Sequence, residues 1–304
     1  MQLALVGPYP APWGGISVQV RALHGLARRT GLPVEVLDVG EGHARRTGDG
    51  GVRDAGSYAR FAAELARTAR RRSLPHVHVP GNNAKAWVVA LAAGAARRGG
   101  LLTVHSGLAP ALLARSPAVR CLAARACDAY EHVLCANEEI AAALEDAGVG
   151  AGRLEVVPAF VAGGLEPGRP PLAAVRARAR FAVLLAAALA PGPVYGADVL
   201  LEAIAQLARG RPDLGCVVWG AGTDDRAFAE DLRGRGLERS VVALGEIEHP
   251  SSLGAMRIAD AFVRPTRADG DSVSVREALA LGVRVVASAV GHRPPGVVRF
   301  RAGD

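Results

Sequence analysis

The sequence of 304 residues has few aromatic residues, which make up 4% of the chain, although half of its residues are hydrophobic. Any buried core must therefore consist mainly of Ala, Leu and Val. The longest apolar runs, 86–96 and 181–190, are shorter than the roughly 18 residues that a membrane span requires. The amino-terminal segment MQLALVGPYP has neither a basic region nor a long apolar stretch, so no signal peptide is predicted. These absences favour a soluble, cytoplasmic, globular protein.

Cysteine and lysine are also scarce. The four cysteines form no CxxC pair and have no His at metal-ligand spacing, so we expect thiols in a reducing compartment. Lys85 is the only lysine, and almost all of the positive charge is therefore arginine. Residues 1–130 contain 17 Lys and Arg against 7 Asp and Glu, whereas residues 131–304 contain 19 against 22. The basic first half suits an anionic partner or an anionic membrane surface, and equally a solvated helix face.

Nucleic acid is not an expected partner, because aromatic residues do not interleave with the basic runs.

Short apolar runs alternate with longer amphipathic segments along the chain. This pattern predicts an α/β protein with mostly parallel sheets, because each strand is followed by a helix that covers the sheet. The stretch 161–171 is rich in Gly and Pro and predicts a linker between two doubly wound, Rossmann-like lobes, 1–160 and 172–304. The predicted strands are 2–7, 34–39, 76–79, 101–104, 132–136, 154–157, 181–187, 216–219, 241–244, 261–264 and 283–287, and a last short run is 297–300. The predicted helices are 17–29, 55–72, 84–98, 108–126, 138–147, 197–209, 225–235, 251–258 and 272–281.

Ligands of doubly wound sheets bind beyond the carboxyl ends of the strands. Gly14 and Gly15 follow the first predicted strand, where they would let the backbone approach an anion at a helix N-terminus; a turn that needs glycine explains them equally well. His105 ends a predicted strand and could donate a hydrogen bond or change its charge near pH 7, although a lone histidine is more often structural. His76 and His78 share one strand face, but no third ligand is near in sequence, so no metal site is predicted.

The densest cluster of polar residues lies between Arg264, at the end of a predicted strand, and Glu277, in the next predicted helix. The loop between them contains Asp269, and both Asp271 and Ser272 are suitable N-cap residues. The helix dipole accounts for the two aspartates but not for Glu277, because its effect fades after the first turn. Carboxylates beside a helix N-terminus are typical of a site for a polyhydroxyl ligand that carries an anion.

These segments resemble glycosyltransferase family 4, the retaining GT-B enzymes that use nucleotide-sugar donors, and the resemblance runs over the whole chain. It implies a metal-independent hexosyltransferase that retains configuration, works in polysaccharide biosynthesis, and uses a glycan or a lipid-linked acceptor. The first lobe would serve the acceptor, the second lobe would bind the nucleotide sugar, and the enzyme would be cytoplasmic or held at the inner face of the membrane. The segments that carry the resemblance are 14–17, 156–158, 197–203, 217–222, 242–247, 280–288 and 269–277, the last in the place of the family's Glu-x7-Glu motif.

The resemblance also implies roles for individual residues. Glu277 would hold the ribose hydroxyls, Asp269 would hold hydroxyls of the donor sugar, and His105 would approach the transferred sugar. The backbone around Ile247 would meet the base, and Gly15 would lie against the diphosphate. No metal or cofactor is expected, because helix N-termini and basic side chains would neutralise the leaving diphosphate. The implied donor-binding residues are Gly14, Gly15, Tyr195, Gly220, Ile247, Arg264, Gly270, Asp271 and Ser272.

The chain departs from the family in two places. The family has an arginine and a lysine on the diphosphate after the first strand of the second lobe; here that loop, 188–196, has Tyr195 at the lysine position. Arg264 or Arg267 could supply the missing charge, since a guanidinium matches phosphate geometry. The final helices of the fold are missing from this sequence, so a truncated second lobe is expected. The alternative is a non-catalytic GT-B-like protein that binds a nucleotide or a glycan.

Overall fold

The computed structural model describes residues 2–40, 50–161 and 165–304. The chain separates into two compact units, divided after Val161. Of the predicted linker 161–171, residues 162–164 lie outside the described residues. Within the described ranges, no helix combines the length and the apolar character that a membrane crossing requires.

The first unit is built on a seven-stranded sheet with the order β3-β2-β1-β4-β5-β6-β7, in which all neighbours are parallel. Its strands are β1 (Leu3–Gly7), β2 (Val34–Asp38), β3 (Val52–Asp54), β4 (Leu74–Val79), β5 (Leu101–Val104), β6 (His132–Cys135) and β7 (Leu154–Val156). Its helices are α1 (Gly15–Arg29), α2 (Tyr58–Arg70), α3 (Ala84–Ala96), α4 (Ala109–Arg115), α5 (Pro117–Cys127) and α6 (Glu138–Asp146).

The second unit repeats this plan on a six-stranded sheet with the order β10-β9-β8-β11-β12-β13, again parallel throughout. Its strands are β8 (Val183–Ala188), β9 (Leu214–Trp219), β10 (Val241–Ala243), β11 (Ala261–Arg264), β12 (Arg284–Ser288) and β13 (Val297–Phe300). Its helices are α7 (Leu172–Arg180), α8 (Ala197–Gly210), α9 (Arg226–Gly234), α10 (His249–Arg257) and α11 (Val273–Ala280). The predicted fold class, two doubly wound lobes with parallel sheets, is confirmed.

The cores consist of small aliphatic side chains, as the composition predicts, with a few aromatic side chains placed where their polar atoms find a partner. Trp87 is fully buried, and its indole N–H donates to the Gly81 carbonyl at 3.0 Å. Tyr130 is likewise buried, and its hydroxyl donates to the Ala90 carbonyl at 2.6 Å. These two hydrogen bonds tie α3 to the loop after β4 and to the segment before β6, and they leave neither buried polar atom without a partner, which would be costly.

One prediction about an element was wrong, and β3 and α7 were not predicted. The predicted helix 108–126 is two helices, because Pro117 cannot continue a helix and instead starts α5, with Ser116 accepting a hydrogen bond from the Val119 N–H at 3.4 Å. The strand β3 was not predicted, because three half-buried residues give no periodic signal. The helix α7 was not predicted, because its arginines interrupt the apolar pattern.

Candidate functional site

The strand order of the second sheet reverses between β8 and β11, which makes the loops after these two strands the expected ligand site. The two loops are joined by their backbones, since the Arg267 N–H donates to the Val194 carbonyl at 2.7 Å. Gly196 has a φ of +68°, and a Cβ at this position would overlap the Pro265 carbonyl. Only glycine fits this conformation and this close approach, so the two loops are fixed against each other. We call these two loops, together with the start of α11 that follows the second loop, the corner.

Arg264 and Tyr195, both predicted to bind the donor, meet at this corner. The guanidinium carbon of Arg264 lies 5.3 Å from the centre of the Tyr195 ring, which is a cation–π contact. Arg264 Nε donates to Asp269 Oδ2 at 3.2 Å, and Nη1 donates to the Ala188 carbonyl at 3.3 Å. Within the described ranges, Nη2 donates to no protein atom. The arginine is thus held at two of its nitrogens and keeps a third for a ligand.

The Asp269 carboxylate is held through a single oxygen. Besides Arg264, its Oδ2 accepts from Thr266 Oγ1 at 3.3 Å and from Arg293 Nη2 at 3.2 Å. Burial acts to raise the pKa of Asp269, but the two guanidiniums outweigh burial and hold the pKa of this carboxyl below its usual range. In the described part of the chain, Oδ1 accepts from no donor. An ionised carboxylate with one oxygen available can accept from a ligand hydroxyl.

Arg293 is a residue of this site that the sequence analysis missed. Its side chain is 1% exposed, and it also donates from Nε to the Ser288 carbonyl at 3.0 Å and from Nη2 to Thr266 Oγ1 at 3.2 Å. Burial lowers the pKa of Arg293, and Asp269 opposes this shift. Arg293 comes soon after the end of β12, at the same edge of the sheet as Arg264 and Asp269. This position after a strand end is the feature of the sequence that could have identified Arg293 as a site residue.

The start of α11 differs in one detail from the prediction. Ser272 is the N-cap, since its Oγ accepts from the Val275 N–H at 3.4 Å. Asp271 does not cap the helix; both of its carboxylate oxygens accept from Arg276 Nε at 2.7 Å, and its side chain is fully buried. Gly270 is buried, and its carbonyl accepts from the His292 N–H at 2.8 Å. Asp271 therefore shapes the loop through Arg276 instead of capping α11.

Glu277 lies in the second turn of α11, as predicted, and has a partner that was not predicted. His249 Nε2 lies 2.6 Å from Glu277 Oε1, and the glutamate side chain is 6% exposed. Among the described residues, no donor is bound to Oε2 of Glu277. The sequence analysis missed His249, because the two residues are 28 positions apart in different helices.

Gly220 and Ile247 lie in the loops after β9 and β10. Gly220 has a φ of +120°, and a Cβ would overlap the Leu189 carbonyl. Its N–H donates to the Gly245 carbonyl at 2.9 Å, which ties the loop after β9 to the loop after β10. Ile247 is half-buried against the core of the second unit. Gly220 therefore fixes the loop after β9 against the loops on either side of it, whereas Ile247 packs on the core.

Arg267, the second candidate for the missing charge, faces a different partner. Its Nη1 and Nη2 donate to Asp198 at 2.8 and 2.6 Å, and Nη1 also donates to the Pro193 carbonyl at 2.7 Å. These hydrogen bonds lower the pKa of Asp198. The guanidinium of Arg267 is thus used to fix the loop in front of α8. Of the two arginines, Arg264 is the one whose two terminal nitrogens are not already paired with a carboxylate.

Gly14 and Gly15 lie at the exposed N-terminus of α1 in the first unit. The Gly14 N–H donates to Ser17 Oγ at 2.9 Å, and a Cβ on Gly14 would meet no atom within 4 Å. Packing inside this unit therefore does not require glycine at position 14. An open helix N-terminus of this kind is suited to an anion.

His105, directly after β5, stacks on His78 of β4, and His78 in turn packs against His76. His78 Nδ1 lies 3.2 Å from His105 Nε2, and His76 Nε2 lies 2.8 Å from Thr103 Oγ1. Burial lowers the pKa of His105 to about 3 and that of His76 to about 4, and it lowers the pKa of His78 well below its usual value. The prediction that His105 could change charge near pH 7 was wrong, because burial keeps it neutral. Among the described residues, no group of three or more His, Cys, Asp or Glu is arranged to hold a metal ion.

Comparison with known proteins agrees with this geometry. A sequence model of the family described as "Glycosyl transferases group 1" matches residues 180–302, which include the whole corner. The match covers most of the carboxy-terminal unit and less than half of the chain. The resemblance to the glycosyltransferases that the sequence indicated is thereby confirmed.

Two relatives within this group are mannosyltransferases. The lipopolysaccharide core biosynthesis mannosyltransferase LpsB of Rhizobium meliloti is 36% identical over 101 residues, which is 32% of this chain and 28% of that protein. A GDP-mannose-dependent mannosyltransferase of Corynebacterium glutamicum, which acts on a monoacylated phosphatidylinositol monomannoside, is 30% identical over 115 residues, or 34% of this chain and 29% of that protein. The match spans less than a third of the length of either relative.

Solved glycosyltransferases share the fold. The Anabaena protein Alr3699/HepE, crystallised with UDP-glucose, superposes with a TM-score of 0.69 at 19% sequence identity, and the match covers 100% of this chain and 86% of that one. At this identity the likeness establishes the architecture, which is that of the GT-B glycosyltransferases.

Proposed function

We propose that the chain is a retaining glycosyltransferase that takes a hexose from a nucleoside-diphosphate sugar and transfers it to a glycan or lipid-linked acceptor. The single observation that carries this proposal is the corner at Arg264, Asp269 and Glu277. It offers one guanidinium nitrogen and two carboxylate oxygens to a ligand, and it lies inside the segment that matches the family. A cation beside hydroxyl acceptors is the set of groups that a diphosphate joined to sugars requires.

Each group would take one part of the donor. Glu277 Oε2 would accept from the ribose hydroxyls, Asp269 Oδ1 would accept from hydroxyls of the sugar, and Arg264 would donate to the diphosphate. The backbone N–H groups of 270–272 would lie along the sugar and the diphosphate, and the loop at Ile247 would meet the base. Gly14 and Gly15 would approach the diphosphate, and neutral His105 would form a hydrogen bond with the transferred sugar.

The reaction would proceed on one face of the sugar. The acceptor hydroxyl oxygen would attack the anomeric carbon from the side on which the diphosphate leaves. The bond from that carbon to the phosphate oxygen would break, and the departing oxygen would take the acceptor's proton. The protein would contribute positioning and charge stabilisation, with Arg264 in place of a metal ion at the leaving group.

The donor is proposed to be a UDP-hexose or a GDP-hexose. Support comes from the relatives and the structural neighbour, since two relatives are mannosyltransferases, one of which depends on GDP-mannose, and the neighbour was crystallised with UDP-glucose. An anionic membrane surface is proposed as a further partner of the basic first unit, at the inner face of the membrane. This placement fits a lipid-linked acceptor.

A non-catalytic nucleotide- or glycan-binding protein is the second candidate. The observation that favours it is the loop 188–196, which has no cationic side chain and has Tyr195 where the family has lysine. The contact between Tyr195 and Arg264 argues against a non-catalytic protein. Tyr195 stands where the family has lysine, and Arg264 brings a positive charge to its ring.

Turnover of nucleotide sugars separates the two candidates. The purified chain is incubated with UDP-glucose, UDP-galactose, GDP-mannose and ADP-glucose, with EDTA present, and release of the nucleoside diphosphate is followed. Release of the nucleoside diphosphate from one of these donors supports the glycosyltransferase, provided that NMR shows that the sugar keeps its anomeric configuration. Glu277→Gln is expected to abolish the release, whereas Glu202→Gln, an exposed residue on α8, leaves it unchanged. Nucleotide binding without any release would favour the binding protein.

A further inference from the structure

His249 is the first residue of α10, directly after the loop that contains Ile247. Its Nε2 lies 2.6 Å from Glu277 Oε1, which is short even for a charge-assisted hydrogen bond. An ionised carboxylate can only accept, so His249 Nε2 carries the hydrogen in this pair. The side chains of His249 and Glu277 are 20% and 6% exposed, so water competes little with the bond.

The backbone that carries the imidazole is well fixed. The Ser252 hydroxyl donates to the His249 carbonyl at 2.9 Å, and the Gly168 N–H donates to the Pro250 carbonyl at 2.7 Å. A Cβ on Gly254 would clash with the Gly168 carbonyl, so the segment before α7 lies close against α10. These contacts fix the backbone at His249, so its ring can hold the carboxylate that it contacts in one orientation.

Fixing one oxygen of Glu277 determines where the other one points. Because Oε1 is bound to His249 and Oε2 accepts from no described residue, rotation of the carboxylate about its last bond is restricted. A carboxylate that is already oriented loses less conformational entropy when it accepts from a ligand.

We propose that His249 is a positioning residue that orients the Glu277 carboxylate toward the ribose hydroxyls of the nucleotide. The inference rests on the proposed function, in which Glu277 contacts the ribose. His249 acts through Glu277, and it joins the ribose contact to the loop beside the base.

The test measures preference for the ribose hydroxyls. UDP and GDP, each with its 2′,3′-dideoxy analogue, are titrated calorimetrically into the full chain, and the ratio of the two affinities is compared among variants. His249→Leu keeps the volume of the side chain but removes the donor. It is expected to lower the ratio about three- to tenfold, the effect of one typical hydrogen bond. His249→Gln places an amide N–H near the position of Nε2 and should restore most of the ratio.

Two controls distinguish the possible failures. Glu248→Ala changes an exposed neighbour that makes no side-chain cap bond, and it should keep the wild-type ratio. Glu277→Gln should also lower the ratio; if it does not, the proposed ribose contact is wrong. If Glu277→Gln lowers the ratio and His249→Leu does not, the inference about His249 is overturned while the proposed function stands. Equal loss in His249→Leu and His249→Gln overturns it as well, because the hydrogen bond would then be irrelevant. Thermal melting curves of each variant confirm that it is folded.

Discussion

At the scale of single residues, the two carboxylates around the start of α11 are held in the same manner. Asp269 has one oxygen bound to two guanidiniums, and Glu277 has one oxygen bound to an imidazole. In the described part of the chain, the second oxygen of each has no protein donor. Orienting both groups before the ligand arrives reduces the entropy that binding would otherwise cost.

The sequence identified the three candidate site residues but not the residues that hold them. Arg264, Asp269 and Glu277 could be predicted because a strand end, a loop and a helix start follow one another within 14 residues of sequence. Their partners Arg293 and His249 lie 24 and 28 positions from the carboxylates that they contact. Only the folded sheet brings these partners close to the carboxylates, so the sequence alone could not predict the two contacts.

Arg264 provides the sharpest prediction at this scale. Arg264→Ala is expected to weaken binding of a nucleoside diphosphate by about 1.5–3 kcal/mol, the range for a charge-assisted hydrogen bond, and to leave nucleoside binding unchanged. Arg264→Lys should recover only part of the loss, because an ammonium cannot reproduce the guanidinium fork. Isothermal calorimetry with UDP, GDP and the free nucleosides measures both quantities.

Arg211 is the matched control for this experiment. It precedes β9, at the opposite edge of the sheet, and pairs with Asp213 in solvent. Arg211→Ala should change neither affinity. Equal losses of diphosphate and nucleoside affinity in Arg264→Ala would contradict the assignment of Arg264 to the diphosphate.

At the scale of elements, the corner depends on loops that contact each other closely. The sequence predicted most strands and helices of both sheets, since buried parallel strands leave clear apolar runs. It could not predict that Gly196 lies directly under the Pro265 carbonyl, because this contact joins two loops about 70 residues apart. It also overlooked the break at Ser116 and Pro117, although the proline itself was the local signal.

Gly196 tests the contact between the two loops. Gly196→Ala is expected to lower the free energy of unfolding by more than the roughly 1–2 kcal/mol of a left-handed alanine, because the methyl group also overlaps the Pro265 carbonyl. Gly236→Ala is the control: its φ of +69° is almost the same as that of Gly196, but a Cβ there meets nothing within 4 Å. Urea unfolding of both variants gives the comparison. Similar losses in the two variants would show that the loops do not contact each other as described.

The histidines of β4 and β5 predict acid sensitivity of the first unit. Burial lowers the pKa of His76 to about 4 and that of His105 to about 3, whereas an unfolded histidine titrates near 6.5. Below about pH 6.5 the unfolded chain therefore binds protons that the folded unit does not. The free energy of unfolding should be highest above that pH. It should fall between about pH 6.5 and 4, by up to roughly 1.4 kcal/mol per pH unit for each histidine.

Thermal melting between pH 7.5 and 4.5 checks this dependence. His76→Gln keeps a polar group near Thr103 and should reduce the pH dependence of the first unit's melting temperature. His132→Gln, at an exposed histidine, should leave it unchanged. A melting temperature of the wild type that does not vary between pH 7.5 and 4.5 would contradict the neutral, buried state of the three rings.

At the scale of the whole molecule, the excess of positive charge lies in residues 1–130, with 17 Lys and Arg against 7 Asp and Glu, and its use is an open prediction. At the end of α2, Arg67 lies 3.4 Å from Glu64 and Arg71 lies 3.6 Å from Glu35, so part of this charge is already compensated. The remaining arginines are expected to attract an anionic surface, with about 1 kcal/mol from each residue near the membrane.

Liposome sedimentation tests this attraction. Binding should require anionic lipid and should fall as salt rises, because exposed charges are screened. Replacing both Arg70 and Arg72 with Gln should weaken it, whereas Arg226→Gln, at an exposed arginine of the second unit, should not. If binding depends neither on lipid charge nor on salt, these arginines are ordinary solvated residues and the proposed attraction is wrong.

The central claim is that the second unit binds a nucleoside diphosphate through its sugar and phosphate groups. The most direct measurement is a calorimetric titration of the wild-type chain with UDP and GDP, each beside its free nucleoside. The account predicts that at least one diphosphate binds and that its nucleoside binds at least about tenfold more weakly, as expected when a charge-assisted contact is lost. No binding of either diphosphate at millimolar concentration, or equal affinity for the diphosphate and its nucleoside, would contradict it.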